Sequence, residues 1–338
     1  MKGFFVAAAV SLALCATPAL AAPVDDYNAG VAAYNAQNYA LSVQKYGAYI
    51  AAMPGEANGY YGRADALYAL GKYAEALTDY QKGVGIKPNY EAYVALGNTL
   101  DSVSRYDESL VAYKRAQEMD PAKPAAFKEM GVAQYNHRDY AGAAKSYARA
   151  VQIAPTDANG QLWYGKSLLN SDQNEAAIIP LSTADRLKPG DVDTLAALGD
   201  AYHGAKRDPE ALTAYDRALA VKPNNYASLL GKGNVYYNRG DYNLSLTFYQ
   251  QAAHADEKNP RPLSYLGDAF YYLGQYGDAK AQYQAAIKLN DGFIDARVGL
   301  ARALKKQNDN AGAQAEIEAL RRIDQGRAGL LSKELFPQ

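Results

Sequence analysis

Cysteine and histidine are scarce in this sequence, and their scarcity limits the chemistry it can support. The 338 residues include one Cys and three His. A single Cys cannot form an intrachain disulfide, so stability has to come from packing. The histidines, His137, His203 and His254, are too far apart for metal-ligand spacing. We therefore expect no metal site and no other cofactor.

Motifs of catalysis and of nucleic-acid binding are also missing from the sequence. It has no phosphate-binding glycine loop and no nucleophile elbow. The formal net charge is −1 without a long run of one sign, whereas nucleic-acid binding needs a basic stripe that displaces counterions. We expect a protein that binds other macromolecules, has no nucleic-acid partner and is not an enzyme.

Tyrosine, in contrast, is abundant. The chain has 30 Tyr but only seven Phe and one Trp. Hydrophobic residues make up 49% of the chain, which favours a folded protein over a disordered one. An explanation of the fold therefore has to account for the tyrosines.

The first residues have the order of a secretory signal peptide. Met1-Lys2 supplies one positive charge, Phe4–Leu14 is an apolar run, and Pro18 precedes the small residues of Ala19–Ala21. We predict a signal peptide over residues 1–21, cleaved after Ala21. The mature protein would then be periplasmic or secreted, and the Ala-rich signal favours a bacterial source.

Two alternatives to cleavage are less favoured. The apolar run is shorter than the ~20 residues that a membrane-spanning helix needs, and Pro18 interrupts it. Lipidation at Cys15 requires a small residue just before the cysteine, where this chain has Leu14. We therefore expect no stable membrane span once the signal is removed.

A 34-residue period dominates the rest of the chain. Six glycines follow each other at this interval, namely Gly97, Gly131, Gly165, Gly199, Gly233 and Gly267. Four prolines keep the same step, namely Pro121, Pro155, Pro189 and Pro223. Within each period, positions 4, 7, 8 and 11 have the spacing of one helix face, and positions 20, 24 and 27 form a second apolar stripe. The Pro at position 32 ends the second helix. Each period therefore predicts a helical hairpin that must stack on its neighbours.

The pattern resembles the tetratricopeptide repeat. The third unit shows it as Tyr93, Leu96-Gly97, Leu100, Ser109, Tyr113 and Pro121. The resemblance implies an all-α fold, a right-handed α–α superhelix built as a solenoid of helical hairpins. It covers nine units over residues 22–327, at about 23–56, 57–89, 90–123, 124–157, 158–191, 192–225, 226–259, 260–293 and 294–327. Residues 328–338 would form a C-terminal cap, with Leu330, Leu331, Leu335 and Phe336 covering the last hairpin.

Most tyrosines are explained by packing. Tyr occupies position 24 in seven units, namely at Tyr46, Tyr80, Tyr113, Tyr147, Tyr215, Tyr249 and Tyr283. We expect these rings in the core, with each hydroxyl reaching a polar partner. The fifth unit departs from the pattern because Pro180 falls inside its second helix. That proline is either a tolerated bend or a change of curvature that divides the array.

The resemblance also implies a binding surface. In this family, positions 2, 5, 9 and 12 of the first helix line a concave groove, and position 13 adds to it. The candidates are Tyr27, Tyr34, Tyr61, Asp65, Tyr68, Asn98, Asp101, Lys128, Tyr135, Asn136, Lys166, Asn170, Asp200, His203, Asn234, Tyr237, Asn238, Asp268, Tyr271, Tyr272 and Arg302.

The composition of these candidates is that of a contact surface. Tyr offers rigid contact area, and Asn offers both a donor and an acceptor. We therefore expect a scaffold that binds protein or peptide segments, in the service of an envelope complex. Glycan binding and self-association remain alternatives, and the oligomeric state is open. Lys166 with Asn170 is out of register with the carboxylate clamp of some relatives, so no such clamp is expected.

Overall fold

The computed structural model describes residues 18–337. Within this range the chain forms nineteen α-helices and no β-strand, which confirms the predicted all-α class. The helices are α1 (Pro18–Asn35), α2 (Tyr39–Ala52), α3 (Ala57–Ala69), α4 (Tyr73–Ile86), α5 (Tyr90–Ser102), α6 (Tyr106–Met119), α7 (Ala125–Asn136), α8 (Tyr140–Ile153), α9 (Ala158–Asn170), α10 (Asn174–Leu187), α11 (Val192–Gly204), α12 (Asp208–Val221), α13 (Tyr226–Asn238), α14 (Tyr242–Ala255), α15 (Pro260–Tyr272), α16 (Tyr276–Leu289), α17 (Ile294–Lys306), α18 (Asn310–Arg321) and α19 (Gln325–Leu335).

Helix ends follow from local sequence signals. Asn and Asp side chains accept a backbone N–H at the start of many helices, which satisfies a donor that has no partner within the helix. These caps are Asn38, Asn89, Asp139, Asp157, Asp191, Asn225, Asn259, Asp309 and Asp324. At the other end, the repeated proline stands two residues past the last residue of α4, α6, α8, α10 and α12.

The hairpin turns share one backbone feature. Position 15 of every predicted repeat has a positive φ, from +59° at Asp172 to +83° at Gly240. Glycine fills this position three times and an L-residue six times: Gln37, Gly71, Ser104, Arg138, Asp172, Lys206, Gly240, Gly274 and Asn308. Because the left-handed conformation costs an L-residue about 1–2 kcal/mol, the packing of the two helices has to impose it.

The helices divide into two compact units. The N-terminal unit ends at Ser171 and contains α1–α9, and the C-terminal unit begins at Asp172 and contains α10–α19. Within each unit, every helix packs on the next one along the chain. First helices of adjacent hairpins also contact each other, as α5 does with α7 and α15 does with α17. This is the stacking of hairpins that the repeat predicts.

Tyrosines and glycines build the core together. All seven tyrosines at position 24 are buried, and Tyr215 is fully so. A Cβ added to Gly97 would lie 2.5 Å from the Tyr113 ring, and one added to Gly267 would lie 2.6 Å from the Tyr283 ring. No side chain fits at such a distance. The glycine at position 8 is therefore required for the second helix to approach, as the sequence predicts.

Some of these rings contact glycines of two successive repeats. Tyr283 lies against Gly267 of its own repeat and also against Gly299 of the next repeat. Tyr46 and Tyr215 are enclosed in the same way by glycines of two successive repeats. A single tyrosine ring thus joins one hairpin to the next, because each flanking backbone approaches it to van der Waals contact.

Helix α19 closes the end of the C-terminal unit. It starts at Gln325, three residues before the predicted cap. Leu331 is buried, and Leu335 and Phe336 pack against the same cluster as α18. Leu330 departs from the prediction, because its side chain is 70% exposed. Successive residues of a helix are about 100° apart, so Leu330 is turned away from the face on which Leu331 packs.

The predicted signal peptide, the proline inside α10 and the length of the helices each bear on a further prediction. Residues 1–17 of the predicted signal peptide lie outside the described residues, and α1 begins at Pro18, so the signal and its cleavage stay predictions. Helix α10 includes Pro180, whose side chain is buried. None of the helices within residues 18–337 is both long and apolar enough to span a membrane.

Candidate functional site

Residues at position 9 are tied to the tyrosines at position 24. In five repeats the Tyr hydroxyl donates to an Asp or Asn carried by the first helix of the same hairpin. The pairs are Tyr80 with Asp65, Tyr113 with Asn98 (2.6 Å), Tyr215 with Asp200 (2.6 Å), Tyr249 with Asn234 (2.9 Å) and Tyr283 with Asp268 (2.6 Å). Each of these tyrosines therefore has the polar partner that the sequence predicts, and that partner is itself one of the predicted groove residues.

The fourth repeat shows the converse. Its position 9 is Val132, which has no acceptor in its side chain. The hydroxyl of Tyr147 is buried and has no hydrogen-bond partner among the described residues. An unpaired buried hydroxyl is costly, so this repeat lacks a stabilising bond that other repeats have.

Burial raises the pKa of two of the position-9 carboxylates. It raises the pKa of Asp65 to about 7, although the hydrogen bond from Tyr80 opposes the shift. It also raises the pKa of Asp268, which Tyr283 again opposes. A carboxylate taken out of water without a cation favours its neutral form.

Tyrosines at position 12 pack edge-on against rings at position 17. Each pair is T-shaped, a favoured arrangement for aromatic rings. The pairs and their centroid distances are Tyr34–Tyr39 (5.3 Å), Tyr68–Tyr73 (5.0 Å), Tyr135–Tyr140 (5.2 Å), Tyr237–Tyr242 (5.5 Å) and Tyr271–Tyr276 (5.4 Å). All five position-12 tyrosines belong to the predicted groove, and their contacts fix the ring orientation.

Polar side chains link the predicted groove positions of successive repeats. The links are Tyr68 Oη with Ser102 Oγ (3.1 Å), Asp101 Oδ1 with His137 Nε2 (2.9 Å), Asn170 Nδ2 with Tyr135 Oη (2.9 Å), and Asn238 Nδ2 with His203 Nε2 (2.9 Å). The structure therefore brings Tyr68, Asp101, Tyr135, Asn170, His203 and Asn238 to one face within their respective units.

In the N-terminal unit, two predicted groove residues are part of the core. Tyr61 is only 2% exposed and Asp65 only 8%. The Tyr61 ring lies where a Cβ of Gly83 would be, and its hydroxyl donates to the Lys87 carbonyl oxygen at 2.5 Å. Six other repeats have Ala at the position of Gly83, the first has Tyr49 and the ninth has Leu320, all of them larger than glycine. Tyr61 therefore turns into the hairpin and away from any partner, which corrects the groove assignment.

Most of the remaining groove candidates of this unit contact other side chains of the chain. Tyr27 packs on the Tyr46 and Tyr49 rings. Lys128 forms an ion pair with Asp157 at 2.6 Å. Lys166 lies over the Trp163 ring, 5.0 Å from its centroid.

One cavity of this unit is small. Its volume is about 40 Å³, close to the space of one or two water molecules. Tyr27, Tyr34, Tyr46, Tyr61 and Asp65 are among its lining residues. At the other end of the unit, Asn136 is exposed and Tyr135 meets Trp163 edge-on at 5.1 Å.

The C-terminal unit contains a much larger open space. One cavity of about 250 Å³ is lined by His203, Asn234, Tyr237, Asn238, Tyr249, Tyr265 and Asp268. A second, of about 940 Å³, is lined by Tyr237, Tyr265, Asp268, Tyr271, Tyr272, Tyr283, Asp295, Val298, Gly299, Arg302, Arg327, Leu330, Leu331 and Glu334. Because the two share three residues, they form one continuous surface, which we call the C-terminal groove.

Tyrosine rings form the wall of the C-terminal groove. Tyr272 is 60% exposed and stacks on Tyr242, with centroids 5.3 Å apart and an interplanar angle of 13°. Its edges meet Tyr237 and Tyr271, both at 5.7 Å. An exposed ring held by three others is a rigid hydrophobic contact surface.

Ion pairs close the far end of the C-terminal groove. Arg302 donates two hydrogen bonds to Glu334, each 2.8 Å long. Arg327 pairs with Asp295 at 2.9 Å. Both pairs join α17 to α19, so Arg302 is held by its neighbour. Residues of α19 and Tyr265 were missed as groove residues because they lie outside the positions that the repeat pattern assigns to the groove.

Metal binding has no cluster of ligands to support it among the described residues of the C-terminal groove. Within residues 18–337, no group of three or more His, Cys, Asp or Glu side chains is arranged to hold a metal ion. The groove instead combines aromatic faces, amides and paired charges. Such a set can bind a ligand by ring packing and hydrogen bonding.

Sequence profiles decide the family. Residues 57–90, 94–158, 196–260 and 270–333 match profiles of the tetratricopeptide repeat. The chain belongs to the tetratricopeptide repeat family. Similarity to an individual relative is local: this tetratricopeptide repeat protein is 32% identical over 94 residues to the small glutamine-rich tetratricopeptide repeat-containing protein 2 of Mycosarcoma maydis. The match covers 28% of this chain and only 27% of that protein.

Solved structures share the tetratricopeptide repeat fold at low sequence identity. A tetratricopeptide repeat protein from Parabacteroides merdae has a TM-score of 0.58 at 11% identity, covering 73% of this chain and 98% of that one. The hetero-tetramer of Cut9 and Hcn1 from the APC/C has a chain with a TM-score of 0.56 at 16% identity, covering 84% of this chain and 56% of that one. These likenesses support the solenoid fold. Members of the family act in general as protein-interaction scaffolds.

Proposed function

We propose that this protein is an exported scaffold that binds extended protein segments in the C-terminal groove and thereby organises an envelope complex. The observation that carries the proposal is the continuous groove of the C-terminal unit, with its larger part of about 940 Å³ and the exposed ring of Tyr272. A small-molecule site would be more enclosed and largely apolar, whereas this surface is open and lined with polar groups.

The chemistry of the lining suits a peptide backbone. The Asn234 and Asn238 side chains stand beside tyrosine rings in the smaller cavity. Asn can donate to a carbonyl and accept from an N–H, which are the two groups that an extended segment presents. Tyrosine rings provide contact area with little loss of side-chain entropy. The Cut9–Hcn1 assembly, a structural relative, is itself a protein–protein complex.

Export is supported by the order of residues 1–21, with Lys2, an apolar run and small residues before Ala22. It is tested separately from binding. Expressed with its own N-terminus in a Gram-negative host, the chain should be recovered from the periplasm with Ala22 as its first residue by intact mass. Recovery of the uncleaved chain from the cytoplasm would refute export and leave groove binding untouched.

Binding is tested by photocrosslinking from the groove. Benzoylphenylalanine replaces Tyr272, and in a matched control it replaces Ile179, which is 75% exposed on α10 and does not line the groove. Irradiation in envelope extract should crosslink defined protein segments to position 272 and not to position 179, as identified by peptide mass spectrometry. Equal products from both positions would refute the groove. Crosslinks to glycan alone, or to a second copy of the chain, would replace the proposal by those alternatives.

A further inference from the structure

The larger cavity of the C-terminal groove is lined by more acidic than basic side chains. Three carboxylates and two guanidinium groups line it. Arg302 is held by Glu334, and Arg327 is held by Asp295. Asp268 is the carboxylate that remains, and no ion pair within residues 18–337 includes it.

Asp268 also occupies a special place. It lines both cavities, as do Tyr237 and Tyr265, so it lies where the two parts of the groove meet. Its carboxylate accepts the 2.6 Å hydrogen bond from Tyr283, and burial raises its pKa. The positive charge of Arg302 lowers the pKa of Asp268, but this is the smallest of the contributions. A partly buried negative charge without a cation is unfavourable, and a positive ligand would relieve it.

Aromatic rings share the larger cavity with Asp268. Tyr237, Tyr265, Tyr271 and Tyr272 line the same cavity as Asp268. The face of an aromatic ring carries negative charge density and attracts a cation, more strongly where water is excluded. The same type of contact occurs in this unit between Lys232 and Phe248, with Nζ 4.4 Å from the ring centroid.

We propose that the segment bound in the C-terminal groove contains a lysine or arginine, and that its cationic head enters the site formed by Asp268 and the rings of Tyr237, Tyr265, Tyr271 and Tyr272. The inference rests on the proposed function and specifies its partner. Charge complementarity selects the occupant, because the groove offers an unpaired carboxylate and electron-rich rings. A neutral or acidic segment would leave Asp268 without a counter-charge.

The repeat itself supplies a conservative variant. Asn98 and Asn234 already accept the same hydrogen bond from Tyr113 and Tyr249 that Asp268 accepts from Tyr283. Asp268→Asn therefore removes the charge and keeps an acceptor in place. Asn234→Asp is the reciprocal change and adds a carboxylate in the adjacent repeat. Asp278→Asn, at an exposed position on α16 outside the groove, controls for net charge.

The experiment first selects peptide ligands from a random library and then tests the role of Asp268 in binding them. A displayed library of random 12-residue peptides is selected on the full chain, with Tyr272→Ala protein used to discard peptides that bind elsewhere. Selected peptides should be enriched in Lys or Arg. In a synthetic representative, replacing that Lys by norleucine should weaken binding about tenfold on the native chain, as expected for a charge-assisted contact. On Asp268→Asn the same replacement should change binding less than about twofold.

Each outcome separates the inference from the function on which it rests. Asn234→Asp should strengthen binding of the Lys peptide, and Asp278→Asn should leave it unchanged. Groove-dependent peptides without any Lys or Arg dependence would overturn the cationic site while the peptide-binding function stands. Absence of any peptide that depends on Tyr272 would overturn both. Equal losses from Asp268→Asn and Asp278→Asn would assign the effect to net charge and overturn the site.

Discussion

The two units carry the same repeat but differ in how much of the predicted groove face is open. In the N-terminal unit, Tyr61 and Asp65 are buried, and the cavity that they help to line measures about 40 Å³. In the C-terminal unit, the corresponding positions of the eighth repeat are Ser264, which is buried, and Asp268, which lines a cavity of about 940 Å³. The C-terminal unit differs from the N-terminal unit in the small side chain at position 5 and in the additional helix α19.

The comparison shows that residue type at a groove position does not determine its role. A tyrosine facing a glycine turns inward, whereas a tyrosine stacked on other rings stays exposed. Tyr61 faces Gly83, and Tyr272 stacks on Tyr242. Substitutions in both units test this difference, from the largest expected effect to the smallest.

Removal of the packed face of α19 should have the largest effect. Leu331→Ala deletes a side chain that is 3% exposed and should lower the free energy of unfolding of the C-terminal unit by about 2–5 kcal/mol. Leu330→Ala, at a neighbour that is 70% exposed, should change it by less than about 0.5 kcal/mol. Urea unfolding with hydrogen exchange in α18 and α19 measures both. Equal losses would mean that α19 does not pack as described.

Asp65 should make the N-terminal unit sensitive to pH. Its pKa of about 7 in the folded state lies above the ordinary value near 4, so folding favours the protonated form. The stability contribution is therefore complete below pH ~4 and is lost as pH rises through 7, on the order of 4 kcal/mol. Asp65→Asn should abolish this loss and make the chain more stable at pH 8.

Thermal unfolding between pH 4 and 8 measures the effect of Asp65, and Asp107→Asn, at an exposed carboxylate of the next repeat, serves as the control. If native and Asp65→Asn chains lose stability in parallel above pH 5, the buried carboxylate is not the cause. Asp268→Asn should show the same sign with a smaller effect, since Asp268 lines an open cavity.

Packing of tyrosine on glycine should be equivalent in the two units. Gly97→Ala and Gly267→Ala place a Cβ against the Tyr113 and Tyr283 rings, and each should cost about 1–3 kcal/mol by overpacking. Gly85→Ala and Gly329→Ala meet no atom within 4 Å and should stabilise their helices by up to about 1 kcal/mol. Chemical denaturation compares the four. Destabilisation by Gly329→Ala as large as that by Gly267→Ala would show that helix propensity, not ring contact, explains the glycines.

The hydroxyl at position 24 should matter only where position 9 accepts it. Tyr113→Phe removes the bond to Asn98 and should cost about 1 kcal/mol. Tyr147→Phe removes a hydroxyl without a partner in the described structure and should be neutral or slightly stabilising. Equilibrium unfolding of both single variants is the measurement. A cost for Tyr147→Phe equal to that for Tyr113→Phe would contradict the pairing rule.

Much of the fold was predictable because its determinants are local and periodic. The glycines at position 8, the prolines at position 32 and the buried tyrosines at position 24 each follow from spacing alone, and nine repetitions make the inference firm. The left-handed turn was less evident, because Lys206 and Arg138 do not look like glycine substitutes. Only alignment of all nine units at position 15 shows the shared requirement.

The candidate site was harder to predict, because it depends on contacts between repeats. Asp268 and Asn98 share a repeat position with the buried Asp65, and a pattern based on one repeat treats them alike. Burial of Tyr61 depends on Gly83, which is 22 residues away in sequence. Leu330 was assigned to the cap since its neighbours are apolar, yet it faces the cavity. Such outcomes depend on side-chain volume at a second position that no period specifies.

The single tryptophan gives the protein an uneven optical response. Trp163 belongs to the N-terminal unit and meets Tyr135 edge-on. Tyrosine emission overlaps tryptophan absorption, so excitation energy absorbed by nearby rings of that unit will reach the indole and be emitted at longer wavelength. The C-terminal unit, residues 172–338, contains no tryptophan, and its stacked rings can emit only as tyrosine. The tryptophan emission therefore reports on the folding of the N-terminal unit around Trp163, whereas the tyrosine emission comes from both units.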